Sequence, residues 1–139
     1  MAAKTYNLDF KGYYWQDSLP EEAGIYLTYT VKYNAETRGY EIDELVYIGE
    51  SDDIKGRQAQ HYNDGDYPEG VTLAFSYALL LGGEDNRQRC EAALIYKVKP
   101  SWNKKGKLSF NYDATTVNSS GKHYGVPDTF TVYRTSNLS

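Results

Sequence analysis

Apolar and polar side chains alternate strictly in two stretches near the start of the chain. The first stretch spans residues 24–34, and its more apolar face is formed by Ile25, Leu27, Tyr29 and Val31. The second stretch spans residues 44–49 and alternates in the same way. A period of two residues is typical of strands with one buried face. Asn34 and Gly39 suit the two ends of the intervening turn, so we predict one long antiparallel hairpin.

The pairing of the two strands follows from the turn. If Asn34 lies opposite Gly39, then Tyr26 lies directly opposite Tyr47, and their phenols stand side by side on one face of the sheet. The pattern therefore predicts a pair of neighbouring tyrosine hydroxyl groups near the open end of the hairpin.

Two helices and a third strand are predicted after the hairpin. Residues 54–62 form a short helix that ends before the polar sequence of residues 63–65. Residues 71–81 alternate at first and then become continuously apolar, which is typical of a central strand. The second helix begins near residues 84–85 and ends before Pro100, because the residue before a proline avoids helical geometry.

Both ends of the chain are less regular. Residues 1–23 are interpreted as an aromatic leader that packs across the sheet, and residues 104–139 as an extension with short strands near residues 108–112 and 130–134. The predicted fold class is a single α/β domain with a small, mainly antiparallel three-stranded central sheet flanked by helices. Its core is formed by residues 24–103.

Length and composition indicate one domain inside the cell. A chain of 139 residues that is 40% hydrophobic can bury a substantial core. It has no apolar run long enough to span a membrane, and residues 1–7 lack the apolar stretch of a signal peptide. The single cysteine, Cys90, has no partner for a disulfide within the chain. We therefore expect a cytoplasmic protein without membrane contact.

The charge is acidic, with a formal net value of −4. This argues against a strong general affinity for nucleic acid, because phosphate binding depends on clustered lysine and arginine. Basic side chains outnumber acidic ones only in residues 104–139. Lys104, Lys105 and Lys107 lie at the start of that segment and are weak candidates for contacts with nucleic acid.

Several side chains have the chemistry that phosphodiester hydrolysis requires. The reaction needs an activated water and positive charge beside the phosphoryl oxygens. Arg57 and His61 are four residues apart and share one helix face, and Arg57 offers a fork of donors to a phosphate. Glu91 lies on an otherwise apolar stripe of the second helix. One such carboxylate can bind Mg²⁺ together with water and substrate phosphate.

In this combination the chain resembles the GIY-YIG nuclease family. The matching elements are, in order, Gly24-Ile25-Tyr26, Tyr47-Ile48-Gly49, Arg57, His61 one helical turn later, Glu91, and Asn103 within Lys99-Pro100-Ser101-Trp102-Asn103. They cover roughly residues 24–103 and occur in the order of the family.

The resemblance implies a role for each matching residue. Tyr26 would be the general base that activates water, and Tyr47 would support it by hydrogen bonding. Arg57 would contact the scissile phosphate, and His61 would relay or orient the proton. Asn103 would brace the site.

The resemblance also implies a cofactor and a substrate. Glu91 would bind one divalent ion, Mg²⁺ or Mn²⁺. The implied function is a metal-dependent endonuclease that acts on nucleic acid, with DNA favoured over RNA. A homodimer, a targeting partner or the terminal segments would have to provide specificity, because no appended DNA-binding domain is recognisable.

Other interpretations stay open at this point. The gap between the two tripeptides is longer than is usual in the family, although the symmetric hairpin accommodates it. The leading alternative function is a non-catalytic module that binds nucleic acid or protein on the same scaffold. The acidic charge favours this alternative, whereas the complete set of six residues favours catalysis. Taken singly, Glu91 can be a boundary residue and Asn103 a turn residue. For His123 and Cys90, which belong to no motif, a structural role is favoured.

Overall fold

The structure is a computed structural model that describes residues 2–135 of the chain. This range contains six strands and two α-helices. The strands are β1 (Lys4–Tyr14), β2 (Gly24–Asn34), β3 (Gly39–Ser51), β4 (Leu73–Leu79), β5 (Thr115–Gly121) and β6 (Thr129–Val132). The helices are α1 (Ile54–Asn63) and α2 (Glu84–Val98), and a short 3₁₀ helix covers Gln16–Ser18.

All six strands belong to one mixed sheet with the order β3-β2-β4-β1-β5-β6. The pairing of β1 with β5 is parallel, and the other neighbours are antiparallel. The predicted three-stranded central sheet with flanking helices is therefore wrong. The three predicted strands are present as β3-β2-β4, but they make up only half of a sheet that dominates the fold.

The error arises at the two ends of the chain. The predicted leader is wrong, because residues 4–14 form β1 in the interior of the sheet, between β4 and β5. Tyr6, Leu8 and Phe10 alternate with exposed residues and are buried, which is the pattern of a strand with one face on the core. The strand predicted near residues 108–112 is also wrong, since β5 begins only at Thr115.

The predicted helices are confirmed. Helix α1 ends at Asn63, one residue beyond the predicted end, and α2 runs from Glu84 to two residues before Pro100. At the start of α1, the side chain of Asp53 accepts a hydrogen bond from the backbone N–H of Gly56 at 3.0 Å. Such an N-cap satisfies a donor that the first turn leaves unpaired.

The hairpin is also confirmed, but its register changes along its length. Asn34 does pair with Gly39 at the turn, as predicted. Irregularities after Thr28 and Thr30 then shift the pairing by two residues in total, so that Tyr26 lies opposite Gly49 rather than Tyr47. Because side chains alternate with a period of two, the combined shift of two residues keeps Tyr26 and Tyr47 on their predicted face, whereas Leu45, between the two irregularities, packs with Ile48 in the core.

The two faces of the sheet carry separate clusters of buried residues, and each cluster includes one helix. Helix α2 packs on the first face, where its residues Cys90 and Leu94 belong to one cluster with Ile25, Leu27 and Ile48 of the strands. Helix α1 packs on the second face, in a smaller cluster formed by Leu19, Tyr26, Ile54, Tyr67, Leu73 and Phe75. Strand β3 is the edge of the sheet, so groups from the two helices can meet beside it.

Within residues 2–135, neither helix is both long enough and apolar enough to cross a membrane.

Candidate functional site

Tyr26 lies on the α1 face of the sheet and is only 1% exposed. Its hydroxyl group forms a hydrogen bond of 2.8 Å with Nε2 of His61, which is near the end of α1. A buried phenol needs such a partner, because an unpaired buried hydroxyl costs free energy. The structure therefore brings together the predicted general base and the predicted relay residue.

Gly49 gives the Tyr26 ring its space. A Cβ atom at position 49 would lie 2.3 Å from both Cζ and the hydroxyl oxygen of Tyr26. These two residues are direct neighbours across the hairpin, so any larger side chain would collide with the phenol. The glycine of the Tyr47-Ile48-Gly49 tripeptide thus has a packing reason in this structure.

Tyr47 is the diagonal neighbour of Tyr26 on the same face. The two rings are stacked with centroids 6.1 Å apart, and the Tyr47 ring meets His61 edge to face at 5.3 Å. The prediction of two neighbouring phenols on one face is confirmed, although the two residues are not directly opposite each other. Unlike Tyr26, Tyr47 is only half-buried.

Burial controls the acidity of both phenols. It raises the pKa of Tyr26 strongly, and the neighbouring Tyr67 and Tyr47 raise it further. Burial also raises the pKa of Tyr47, with a further increase from the Glu91 carboxylate. Arg57 opposes both increases. Neither tyrosine is therefore a phenolate at neutral pH, and either could accept a proton only by giving up its own at the same time.

His61 bridges Tyr26 and an acidic group. It is 8% exposed, and its Nδ1 lies 2.9 Å from Oδ2 of Asp66. Asp66 was not predicted as a site residue. Together the side chains form a continuous hydrogen-bonded chain from the carboxylate of Asp66 through the imidazole to the hydroxyl group of Tyr26.

A cleft of about 460 Å³ opens beside these groups. Its lining includes Tyr47, His61, Glu91 and Asn103, four of the six predicted motif residues. Since Asn103 bonds the exposed edge of β3, the cleft lies at this edge of the sheet. Its volume falls within the range of small-molecule sites in proteins.

Glu91 enters the cleft from α2, the helix on the other face of the sheet. Burial raises the pKa of its carboxyl group from the ordinary value of 4.5 to about 7, and the nearby Glu50 carboxylate contributes to the increase. Glu50 is itself engaged by Arg87, whose Nε lies 2.9 Å from its Oε2. A cation beside Glu91 would stabilise the ionised form that burial disfavours.

The donor set around Glu91 fits a divalent ion with few protein ligands. Among residues 2–135, no three or more histidine, cysteine, aspartate or glutamate side chains are grouped as a metal site. One carboxylate with open positions is a known mode for Mg²⁺, which keeps waters and takes substrate phosphate as ligands. Such an ion would bind weakly until a substrate is present.

Arg57 lies near this cluster without being tied to it. It is not among the residues that line the cleft, but its charge lowers the pKa of Tyr26, of Tyr47 and of Glu91, which places it close to these groups. Within the part of the chain that the structure describes, its guanidinium group forms neither an ion pair nor a hydrogen bond. It is therefore free to bind an anion.

Asn103 holds the strand that carries Tyr47. Its Oδ1 accepts a hydrogen bond from the N–H of Ile48, and its Nδ2 donates one to the carbonyl oxygen of Ile48, both at 2.9 Å. The preceding N–H of Trp102 donates to the carbonyl oxygen of Val46 at 2.9 Å. The segment thus pairs with the open edge of β3 as another strand would, which agrees with a bracing function.

The three lysines predicted as weak nucleic-acid contacts separate in the structure. Lys104 and Lys105 are exposed and line the cleft. Lys107 does not line it, and its carbonyl oxygen accepts a hydrogen bond from Nζ of Lys99. Two positive side chains are therefore at the cleft, whose lining also includes the acidic groups of Glu91 and Asp66.

His123 and Cys90 lie outside this cleft. Nδ1 of His123 is 2.9 Å from the carbonyl oxygen of Val126, and its Nε2 is 3.2 Å from Asp128. Cys90 is fully buried in the core, and burial raises the pKa of its thiol. The contacts of His123 and the burial of Cys90 are typical of residues with a structural role.

Sequence reasoning missed Asp66 and Tyr67. The Tyr67 hydroxyl donates to Oε1 of buried Gln58 at 2.5 Å, and its ring lies 4.9 Å from the His61 ring. Both residues lie in a polar turn without a motif. The sequence contained one signal for Asp66. A glycine four residues after His61, at position 65, predicts a helix end that folds the following residue, Asp66, back onto the histidine.

Comparison with known proteins finds no family model, curated protein or solved structure that matches this chain.

Proposed function

We propose that the protein is a metal-dependent endonuclease that hydrolyses phosphodiester bonds in nucleic acid, with DNA as the favoured substrate. The observation that carries the proposal is the hydrogen bond between Tyr26 and His61 beside a cleft that contains Glu91. A buried phenol that can pass its proton to an imidazole is a suitable acceptor for a proton from water. The resemblance to GIY-YIG nucleases assigns these residues to the same reaction.

The proton path follows from the hydrogen bonds. Water attacks the phosphorus atom and loses a proton to the pair formed by Tyr26 and His61. As the Tyr26 oxygen takes this proton, the phenol's own proton moves to Nε2 of His61, 2.8 Å away. The bond from phosphorus to the leaving oxygen breaks, and that oxygen takes a proton from solvent. Tyr47 and His61 line the cleft whereas Tyr26 does not, so Tyr47 also orients the water.

Positive charge for the phosphate comes from two sides of the site. Arg57 is free of protein partners among the described residues and offers planar donors to two phosphoryl oxygens. Glu91 would hold the Mg²⁺ or Mn²⁺ ion, which when bound supplies charge to the phosphoryl oxygens. Lys104 and Lys105 would contact neighbouring phosphates along the strand.

A non-catalytic binding module is the second candidate. The specific observation in its favour is the 1% exposure of Tyr26, which leaves this phenol little contact with solvent. The net charge of −4 points in the same direction. In this case Tyr26 and His61 would serve the packing of α1 on the sheet, and the cleft would bind a ligand without cleaving it.

Cleavage of supercoiled plasmid DNA in Mg²⁺ or Mn²⁺ tests the proposal. The wild type should convert supercoiled DNA to nicked or linear forms, and Glu91→Ala should abolish this while DNA binding is retained. Glu84→Ala is the matched control, because Glu84 is an exposed carboxylate on the same helix. Full activity of Glu91→Ala, or of the wild type in excess chelator, would refute the metal-dependent mechanism.

A further inference from the structure

The end of helix α1 holds Asp66 next to His61. Gly65 adopts the left-handed conformation, with φ of +72°, and its N–H donates to the carbonyl oxygen of Tyr62 at 3.3 Å. The N–H of Asp66 donates to the carbonyl oxygen of His61 at 2.9 Å. This pair of bonds is the Schellman motif, which brings the second residue after the helix cap back to the third-last helical residue.

The side chains at these two positions are also in contact. In most Schellman motifs an apolar contact joins them. Here the contact is the 2.9 Å hydrogen bond between Oδ2 of Asp66 and Nδ1 of His61. Backbone and side chain of Asp66 therefore hold the same histidine.

Tyr67 fixes the turn from its other end. It is 5% exposed, and its hydroxyl group is bonded to Gln58 and lies 3.2 Å from Oγ1 of Thr28. Asp66 itself has a side chain that is 54% exposed. Its position consequently depends on the helix end and on buried Tyr67 rather than on burial of its own carboxylate.

The hydrogen bond to Asp66 determines where His61 carries its hydrogen. An ionised carboxylate can only accept a hydrogen bond, so Nδ1 of His61 must be the donor. In a neutral imidazole Nε2 is then without hydrogen and can only accept. The 2.8 Å contact between Nε2 and Tyr26 is consequently a bond that the phenol donates. This is the direction in which a proton must move if His61 takes it from Tyr26.

We propose that Asp66 is a positioning residue that holds His61 as the Nδ1–H tautomer with Nε2 directed at the Tyr26 hydroxyl group. The inference rests on the nuclease function proposed above. When the proton of Tyr26 moves to Nε2, the phenol loses it and the imidazole becomes a cation. The carboxylate of Asp66 then faces that cation at hydrogen-bonding distance and stabilises it.

The tautomer can be measured without any turnover. The chain contains two histidines, so ¹⁵N NMR of the protein labelled at histidine gives two ring systems to assign. At pH 8 the wild type should show hydrogen on Nδ1 of His61 and none on Nε2. Hydrogen on Nε2, alone or together with Nδ1, would overturn the proposal. His123 is the internal reference, since its ring contacts Val126 and Asp128 instead.

Asp66→Ala tests the cause of the tautomer. The hydrogen of His61 should move from Nδ1 to Nε2, while the signals of His123 stay in place and report an intact fold. The matched control is Asp64→Ala, which removes the same charge from an exposed position two residues away. An unchanged His61 spectrum in Asp66→Ala would overturn the proposal.

Plasmid cleavage assays test whether the tautomer of His61 affects the reaction rate. Asp66→Ala should be slower than wild type by roughly 10²-fold, within the range that general acid–base catalysis contributes, and Asp64→Ala should be nearly normal. Equal losses in both variants would mean that charge matters rather than the bond to His61. A wild type without cleavage would refute the nuclease function, while the NMR result would still decide whether Asp66 sets the tautomer.

Discussion

At the scale of single residues, burial makes Tyr26 dependent on its neighbours. Tyr26 is 1% exposed and does not line the cleft, whereas Tyr47 and His61 do. Burial also keeps the Tyr26 phenol protonated by raising its pKa. In the proposed mechanism, proton transfer at Tyr26 therefore depends on its bond to His61 and not on a resting phenolate.

Removing one hydroxyl group distinguishes the roles of the two tyrosines. Tyr26→Phe should lower the cleavage rate by about 10²–10⁴-fold if its hydroxyl group does the work of a general base. Tyr47→Phe should cost less, because its implied role is support. Tyr33→Phe is the control, since Tyr33 is 57% exposed and does not line the cleft. Rates with plasmid DNA under single-turnover conditions give the comparison, and a Tyr26→Phe rate equal to wild type would remove the phenol from the mechanism.

Glu91 makes the stability of the metal-free protein depend on pH. Its carboxyl pKa is raised from 4.5 to about 7 in the folded state, so between these values the folded protein binds more protons than the unfolded chain. Stability should therefore fall as pH rises from 5 to 8, by up to roughly 3 kcal/mol. Urea unfolding in chelator at the two pH values measures this change.

Glu91→Gln is the control for that measurement. The amide does not titrate, so most of the decrease in the free energy of unfolding should disappear in this variant. A decrease of the same size in wild type and Glu91→Gln would show that another group is responsible.

At the scale of elements, an edge strand and the segment that follows α2 build the cleft together. Strand β3 has one neighbour, β2, and therefore leaves backbone groups unpaired on its other side. The side chain of Asn103 satisfies both the N–H and the carbonyl group of Ile48 on that side. The same contact sets Tyr47, the residue before Ile48 in β3, at the wall of the cleft.

Asn103→Ala should destabilise the fold and reduce cleavage. Two buried backbone groups of Ile48 lose their partner, at a cost of about 1–3 kcal/mol in the free energy of unfolding. Chemical denaturation measures this cost. Asn118→Ala is the matched control, because the Asn118 amide donates a hydrogen bond to Asn7 at an exposed site and its loss should cost less than about 0.5 kcal/mol. Similar losses in the two variants would contradict the bracing role of Asn103.

Local sequence patterns were sufficient to predict the elements whose contacts join residues close together in the sequence. The hairpin and both helices were predicted from alternation, the polar sequences at turns and the proline at position 100. Strand β1 was not, because its partners are remote: Lys4 pairs with Thr115 in β5, and Lys11 pairs with Tyr77 in β4. Nothing near residues 4–14 indicates such pairing, so the segment was interpreted as an irregular leader and the alternation of Tyr6, Leu8 and Phe10 was overlooked.

The candidate site was predictable to a similar extent. The two irregularities in β2 and β3 were invisible in the sequence, yet their combined shift of two residues kept Tyr26 and Tyr47 on one face. Asp66 could not be identified from residue type, since an exposed aspartate in a polar turn is common. Its importance appears only when the helix end at Gly65 folds it back onto His61.

At the scale of the whole molecule, the chain is acidic overall, but two exposed lysines lie at its cleft. The net charge of −4 opposes nucleic acid at long range, whereas Lys104 and Lys105 are exposed at the cleft itself. Binding should accordingly be weak, and it should depend on a small number of phosphate contacts. Lys104 and Lys105 supply the lysine charge in the cleft lining, so the position of each of them matters.

The salt dependence of DNA binding counts those contacts. Each phosphate contact that is lost should reduce the slope of log K against log salt concentration by about 0.9. Replacing both Lys104 and Lys105 by Ala should therefore flatten the slope by nearly two and weaken binding to all sequences alike. Lys107→Ala should leave the slope unchanged, because Lys107 lies outside the cleft lining. Titration of labelled duplex at several salt concentrations gives the three slopes. If the double variant keeps the wild-type slope, these lysines only solvate the surface and nucleic acid must bind elsewhere.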